Sequence, residues 1–212
     1  MSKTALVLGP TGLVGSHLVR LLCESPHYDA VIALARRPLE WQHPKLRTEI
    51  FDYDHPDASK IVGDDLFCAL GTTLRKAGSQ EAQYRVDCLY PWEVGKIARQ
   101  NNVRYYGLVS SVGADAASSA FYLRTKGDLE EKIKLLGFPN FVSVRPSFLL
   151  GERPEFRLGE KIGIVVAKLF RPLIPRHYRG IEAEQVAKCL IQLANDGGSG
   201  TRIVENEVLL DM

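Results

Sequence analysis

Tyr122 and Lys126 stand four residues apart, and Ser110-Ser111 come shortly before them in the chain. On a helix that spacing brings the phenol and the ammonium onto one face. A phenol with a reference pKa of about 10 is a poor acid or base at neutral pH, but a neighbouring cation favours the phenolate and draws it toward the working range. A serine hydroxyl at the end of a strand can then hold a carbonyl or alcohol oxygen. Ser111, Tyr122 and Lys126 therefore read as a catalytic set for proton transfer beside a hydride transfer whose hard step belongs to a nicotinamide. In that set Lys126 also bonds the cofactor ribose. Taken alone, a tyrosine and a lysine at this spacing are common on solvated helix faces, so the reading depends on what surrounds them.

A Gly-rich loop supplies that context. Gly9-Pro10-Thr11-Gly12-Leu13-Val14-Gly15 follows an apolar run directly and opens a helical pattern. The three glycines have separable tasks: a tight turn at Gly9, close backbone approach to a pyrophosphate at Gly12, and close helix-to-strand packing at Gly15. The N–H groups of the helix start, among them those of Thr11, Leu13 and Val14, then face the diphosphate. At the end of the second apolar run stand Arg36-Arg37, where an NAD site usually carries an acid for the ribose hydroxyls. Two guanidinium groups there suit a 2′-phosphate, which points to NADP, with NAD the alternative cofactor. Asp52, closing the third strand, can accept from the adenine amine or serve as an ordinary turn aspartate.

Positioning these groups requires alternating strands and helices. β-branched, apolar runs at 3–8, 30–35, 48–51, 65–70, 105–110, 141–145 and 201–205 predict strands, and the patterns at 16–24, 80–100, 122–136 and 182–195 predict helices. This alternation predicts an α/β fold: a Rossmann-like, doubly wound parallel sheet with helices on both faces. Pro91 should kink the long third pattern or begin a new first turn within it. A chain of 212 residues suits one domain, 1–212, with an elaboration at about 151–180 carrying basic residues such as Arg153, Arg157, Lys161 and Lys168 around the apolar stretch Ile162 to Phe170. That stripe suits packing on the sheet or a homodimer interface better than stable membrane association.

The balance of 27 Lys and Arg against 25 Asp and Glu gives a net charge of +2, too small a field to hold nucleic acid. The dispersed cysteines Cys23, Cys68, Cys88 and Cys189 form no CxxC pair, which predicts reduced thiols and a cytoplasmic protein. The histidines show no metal-ligand spacing, so no metal is expected. Gly9 interrupts the first apolar run too early for a signal peptide.

With these motifs in place, the chain resembles the short-chain dehydrogenase/reductase superfamily, in particular its atypical branch that includes the Tat-interacting-protein oxidoreductases. The resemblance covers nearly the whole chain and rests on Gly9 to Gly15, Phe51-Asp52-Tyr53, Cys68-Ala69-Leu70-Gly71-Thr72-Thr73, Lys76-Ala77-Gly78, Val86-Asp87, Ser110 to Asp115, Tyr122 to Lys126 and Arg145-Pro146. It implies cofactor contacts at Gly9, Gly12, Gly15, Arg36, Asp52, Leu70, Gly71 and Lys126, with Pro146 beginning the loop near the nicotinamide. It casts Ser111, Tyr122 and Lys126 as catalytic, although Ser111 lies closer to Tyr122 than in typical members, which leaves Ser110 as the alternative hydroxyl. Asp87 stands where many members carry an asparagine. The function implied is that of an NADP-dependent oxidoreductase acting on a small carbonyl, alcohol or sugar-like substrate. The alternative, from another class, is a non-catalytic NADP-binding regulator or redox sensor that engages a protein partner.

Overall fold

The computed structural model describes residues 3–151 and 175–212. Its frame is a seven-stranded sheet of β1 (Lys3–Leu8), β2 (Tyr28–Ala35), β3 (Leu46–Ile50), β4 (Asp65–Cys68), β5 (Tyr105–Val109), β6 (Asn140–Arg145) and β9 (Gly200–Glu205). The spatial order is β3-β2-β1-β4-β5-β6-β9, and every pairing is parallel. A separate parallel pair, β7 (Leu149–Leu150) with β8 (Ile181–Glu182), stands beside it. The strand order reverses between β1 and β4, and in open α/β sheets ligands bind outside the carboxyl ends of strands at such a switch point.

Both faces of the sheet are covered, so the central strands are apolar throughout rather than alternating. Ala5 and Val7 of β1 join a core under α1 (Leu13–Glu24) and α6 (Ala183–Asn195), with Leu18, Leu22, Val186 and Leu190. Leu6 and Leu8 turn to the other core, under α4 (Tyr90–Gln100) and α5 (Phe121–Lys134), with Val94, Ala98, Leu129 and Ile133. Leu6, Leu8, Leu18 and Leu22 are all fully buried, and burying a side chain of that size stabilises the fold by about 1.5–3 kcal/mol.

The expected strands and helices are present with small boundary shifts. α1 begins at Leu13 rather than Ser16, directly on the Gly-rich loop, and β2 begins at Tyr28 rather than Ala30. Tyr28 extends the strand because its ring is buried and its hydroxyl donates to Asp65 Oδ2 at 2.6 Å. The long helix expected over 80–100 is a composite: α3 (Gln80–Tyr84), a π-helical turn (Arg85–Leu89), then α4 with Pro91 in its first turn. Proline has no N–H, and its ring crowds the carbonyl four residues back. A widened turn ahead of it relieves that crowding and re-aims the side chains of the turn. α2 (Leu74–Ala77) and the turn Asn206–Leu209 were not anticipated. Most of the elaboration expected at 151–180, including the stretch Ile162 to Phe170, lies outside the described residues.

Candidate active site

Gly9 ends β1 with φ +72°, and a Cβ there would meet the Ala69 carbonyl oxygen at 2.6 Å, so glycine is required by both conformation and space. A Cβ on Gly15 would collide with the Gly9 carbonyl oxygen, which lets α1 start hard against the loop. Gly12 differs: its Cβ would meet only the Gly9 oxygen at 3.3 Å and the Ala69 oxygen at 3.6 Å. The chain's own packing makes only a mild demand for glycine at that exposed position, which is what close approach of a ligand would ask for. Gly12 also serves as the N-cap of α1 with no side-chain cap and no acid in the first turn, leaving the N–H groups and the positive helix end to an anion. The side chain of Val14 belongs to the core, so Val14 can contribute only its backbone there.

Arg36 and Arg37 follow β2 as exposed side chains, and neither makes an ion pair with a described residue. Asp52 is occupied locally. Its Oδ1 accepts from the Asp54 N–H at 2.9 Å and its Oδ2 meets His55 Nδ1 at 3.1 Å. The His55 contact, followed by the Asp54 N–H, holds this carboxyl below its ordinary range. Asp52 thus holds its own turn together while its side chain stays mostly exposed.

At the carboxyl end of β4, Leu70 is half-buried and Gly71 exposed, and beneath Gly71 lie two buried charged side chains. Lys126, on α5, is 4% exposed and donates weakly to the Val109 carbonyl at 3.5 Å. Asp87, from the π-helical turn, is 1% exposed. Its Oδ1 accepts from the Thr72 N–H at 2.6 Å and its Oδ2 from Gln83 Nε2 at 3.4 Å. Burial pushes the Asp87 carboxyl above its ordinary range, with the Lys126 charge pulling it back. For Lys126 burial is the largest single influence and works against the charge, but Tyr122, Asp87, Cys68 and Cys88 together hold the ammonium above its usual range.

Tyr122 opens α5 one turn before Lys126 and is 41% exposed, with the Lys126 Nζ 6.0 Å from its ring centre. The two serines differ. Ser111 Oγ donates to the neighbouring Val112 carbonyl at 3.3 Å, whereas Ser110 Oγ is buried without a partner. Tyr106 and Leu108 of β5 face the α4–α5 core, so by the two-residue alternation of a strand Ser110 lies on the side of Lys126. Pro146 is buried, and its carbonyl accepts from the Val112 N–H at 3.0 Å, tying the end of β6 to the serine loop.

Two residues that fix this geometry were not read from the sequence. Gly127 packs directly on the loop after the serines, where a Cβ would collide with the backbone of Asp115 and Ala116. Glu130 is buried on the inner face of α5, accepting from Ser143 Oγ at 2.8 Å and from Arg145 Nη2 at 2.5 Å, while Arg145 also pairs with Glu205 at 2.9 Å. Arg145 of the Arg-Pro motif is thereby committed to bracing β6 against α5 and β9. Among the described residues no cluster of His, Cys, Asp or Glu is arranged to hold a metal, and no helix is long and apolar enough to cross a membrane.

A turn at the β1/β4 switch point, a helix N-terminus open to an anion, and a buried lysine behind a tyrosine are the parts of a dinucleotide site. The sequence agrees, matching the model of the NAD dependent epimerase/dehydratase family over residues 5–126. The chain belongs to that family. Full-length relatives support the assignment. Protein FMP52, mitochondrial, of Candida albicans is 35% identical over 207 residues, covering 93% of this chain and 90% of its own. Protein HTATIP2 of Rattus norvegicus is 30% identical over 221 residues, covering 100% of this chain and 89% of its own. Among solved structures, MoeE5 in complex with UDP-glucose and NAD shares the fold with a TM-score of 0.74 at 17% identity, covering 98% of this chain and 80% of MoeE5. WbmH of Bordetella bronchiseptica in complex with NAD+ gives 0.71 at 16%, covering 95% and 75%.

The comparison also corrects the cytoplasmic placement expected from the cysteines. The fungal members of the NAD dependent epimerase/dehydratase family that match this chain are named as mitochondrial proteins. The physical reason is that all four cysteines are free and buried. Burial pushes the thiols of Cys23 and Cys189 up to about 11, which leaves little reactive thiolate in any compartment. Their reduced state therefore carries no information about location.

Proposed function

We propose that this chain is an NADP-dependent oxidoreductase that moves hydride to or from a small carbonyl, alcohol or sugar-like substrate, with Tyr122 as acid–base. The observation that carries the reading is the burial of Lys126 at 4% exposure between Asp87 and Tyr122. A solvated helix-face pair would leave the ammonium in water, where lysine is ordinarily found, whereas this one is buried with a long hydrogen bond to the Val109 carbonyl.

The glycine loop and the α1 N-terminus hold the pyrophosphate, Arg36 and Arg37 the 2′-phosphate, and Gly71 and Lys126 the nicotinamide end. When bound, the nicotinamide supplies or accepts the hydride. The Tyr122 hydroxyl gives a proton to the substrate oxygen on reduction and takes one on oxidation. Lys126 sets its ammonium 6.0 Å from the Tyr122 ring centre, one turn along α5. A serine hydroxyl holds the same oxygen in line: Ser111 in the family pattern, or Ser110, whose Oγ is the buried group without a partner. The half-exposed phenol keeps one face open for substrate.

The test is Tyr122→Phe assayed against a panel of small aldehydes, ketones and nucleotide sugars with NADPH. Loss of about 10²–10⁴-fold in turnover is expected, with dinucleotide affinity kept. Undiminished turnover in the variant would overturn the acid–base assignment. A wild type that binds NADPH but turns over nothing would instead point to the regulator.

A further inference from the structure

Asp87 is a buried carboxylate close to Lys126, beneath Gly71. It lies in the π-helical turn Arg85–Leu89, 1% exposed, and accepts from the Thr72 N–H at 2.6 Å and Gln83 Nε2 at 3.4 Å. An asparagine could still accept the Thr72 bond through its Oδ1, although its Nδ2 would give up the bond from Gln83 Nε2, which also donates to the Thr72 carbonyl at 3.4 Å. What the amide could not do is face Lys126 as an anion. Both side chains also lie directly beneath an exposed glycine. A Cβ on the exposed Gly71 would lie 3.6 Å from Asp87 Oδ1 and 3.9 Å from Lys126 Nζ, so a group resting on Gly71 touches both charges.

This inference rests on the proposed function, in which the nicotinamide end of the cofactor lies at Gly71 and Lys126. Oxidation gives the nicotinamide ring a positive charge and reduction removes it. Lys126 on its own opposes the oxidised ring, and a fixed anion beside it cancels that opposition. We infer that Asp87 is the specificity-determining counter-charge of the site, setting how strongly the protein prefers the oxidised over the reduced dinucleotide. The charge acts by Coulomb attraction from a side chain that is itself buried, which strengthens it relative to a charge in water.

The experiment is equilibrium titration of wild type, Asp87→Asn and Asp87→Ser with NADP+, NADPH, NAD+ and NADH, with thermal melting to establish that each variant is folded. For the preferred dinucleotide, loss of the carboxylate should weaken binding of the oxidised form relative to the reduced form by roughly tenfold. A role confined to holding the Thr72 loop or Lys126 in place would lower both affinities together and leave their ratio unchanged. An unchanged ratio in a folded variant overturns the inference while the proposed function stands. Failure of both variants to fold makes the carboxylate structural and overturns it too. Failure of wild type to bind any of the four dinucleotides sinks the inference and the proposed function together.

Discussion

Asp65 shows how a single buried group can shape the behaviour of the whole chain. It lies at the edge of the sheet opposite the site, where its carboxylate accepts from the Tyr28 hydroxyl at 2.6 Å and from Lys3 Nζ at 3.0 Å. Burial raises its carboxyl above the ordinary range, with Tyr28 and Lys3 pulling the other way. A carboxyl raised on folding contributes stability that is fully present below its unfolded pKa and fades as pH rises through the folded one. Asp65→Asn does not titrate, so the melting-temperature advantage of wild type over this variant should shrink as pH rises from the ordinary carboxylate range toward neutrality. A gap that widens over that range would contradict the assignment. At this scale the sequence is legible where the residue type itself carries chemistry, as at Tyr122, Lys126 and the glycines. It is silent at Glu130, which sits among charged neighbours in a helix of polar appearance and is buried where Arg145 and Ser143 of the next strand, β6, fold back onto it.

Among the elements, α5 does most to build the site, because it carries Tyr122, Lys126, Gly127 and Glu130 on consecutive turns. Gly127 shows why packing overrides propensity. Alanine is favoured over glycine in a helix interior by about 1 kcal/mol, yet here a Cβ would collide with the backbone of Asp115 and Ala116. Gly127→Ala should therefore destabilise the protein by about 1–3 kcal/mol, read as a lower melting temperature, and should impair turnover by displacing the serine loop from Tyr122. A higher melting temperature would show that the loop yields without cost. No local pattern announces such a contact, since its partner lies in a loop with no periodicity. The π-helical turn was half legible: Pro91 marks a break in the sequence, but the direction in which the break re-aims Asp87 depends on the widened turn itself.

At the scale of the whole molecule, each central strand is an apolar run bounded by turn residues and each long helix a periodic stripe, so the doubly wound sheet could be read before any coordinates. Strand order could not be read from the runs themselves; the preference for right-handed parallel crossovers narrows the choices, and the reversal between β1 and β4 is a finding of the structure. The fold then brings the glycine loop, the β4 end and α5 to one edge of the sheet, although they are separated by more than half the chain. Family membership agrees with that assembly, whereas the compartment inferred from the cysteines did not survive it.

The central claim is that this edge binds a dinucleotide and that Arg36 and Arg37 select its 2′-phosphate. The most direct measurement is titration of wild type and of the double variant Arg36→Ala, Arg37→Ala with NADPH and NADH, following nicotinamide fluorescence. Wild type should bind NADPH at least roughly tenfold more tightly than NADH, and the variant should lose that preference through weaker NADPH binding alone, as expected when charge-assisted phosphate contacts are removed. A wild type that binds neither dinucleotide, or a preference for NADPH that survives the double substitution, would contradict the account.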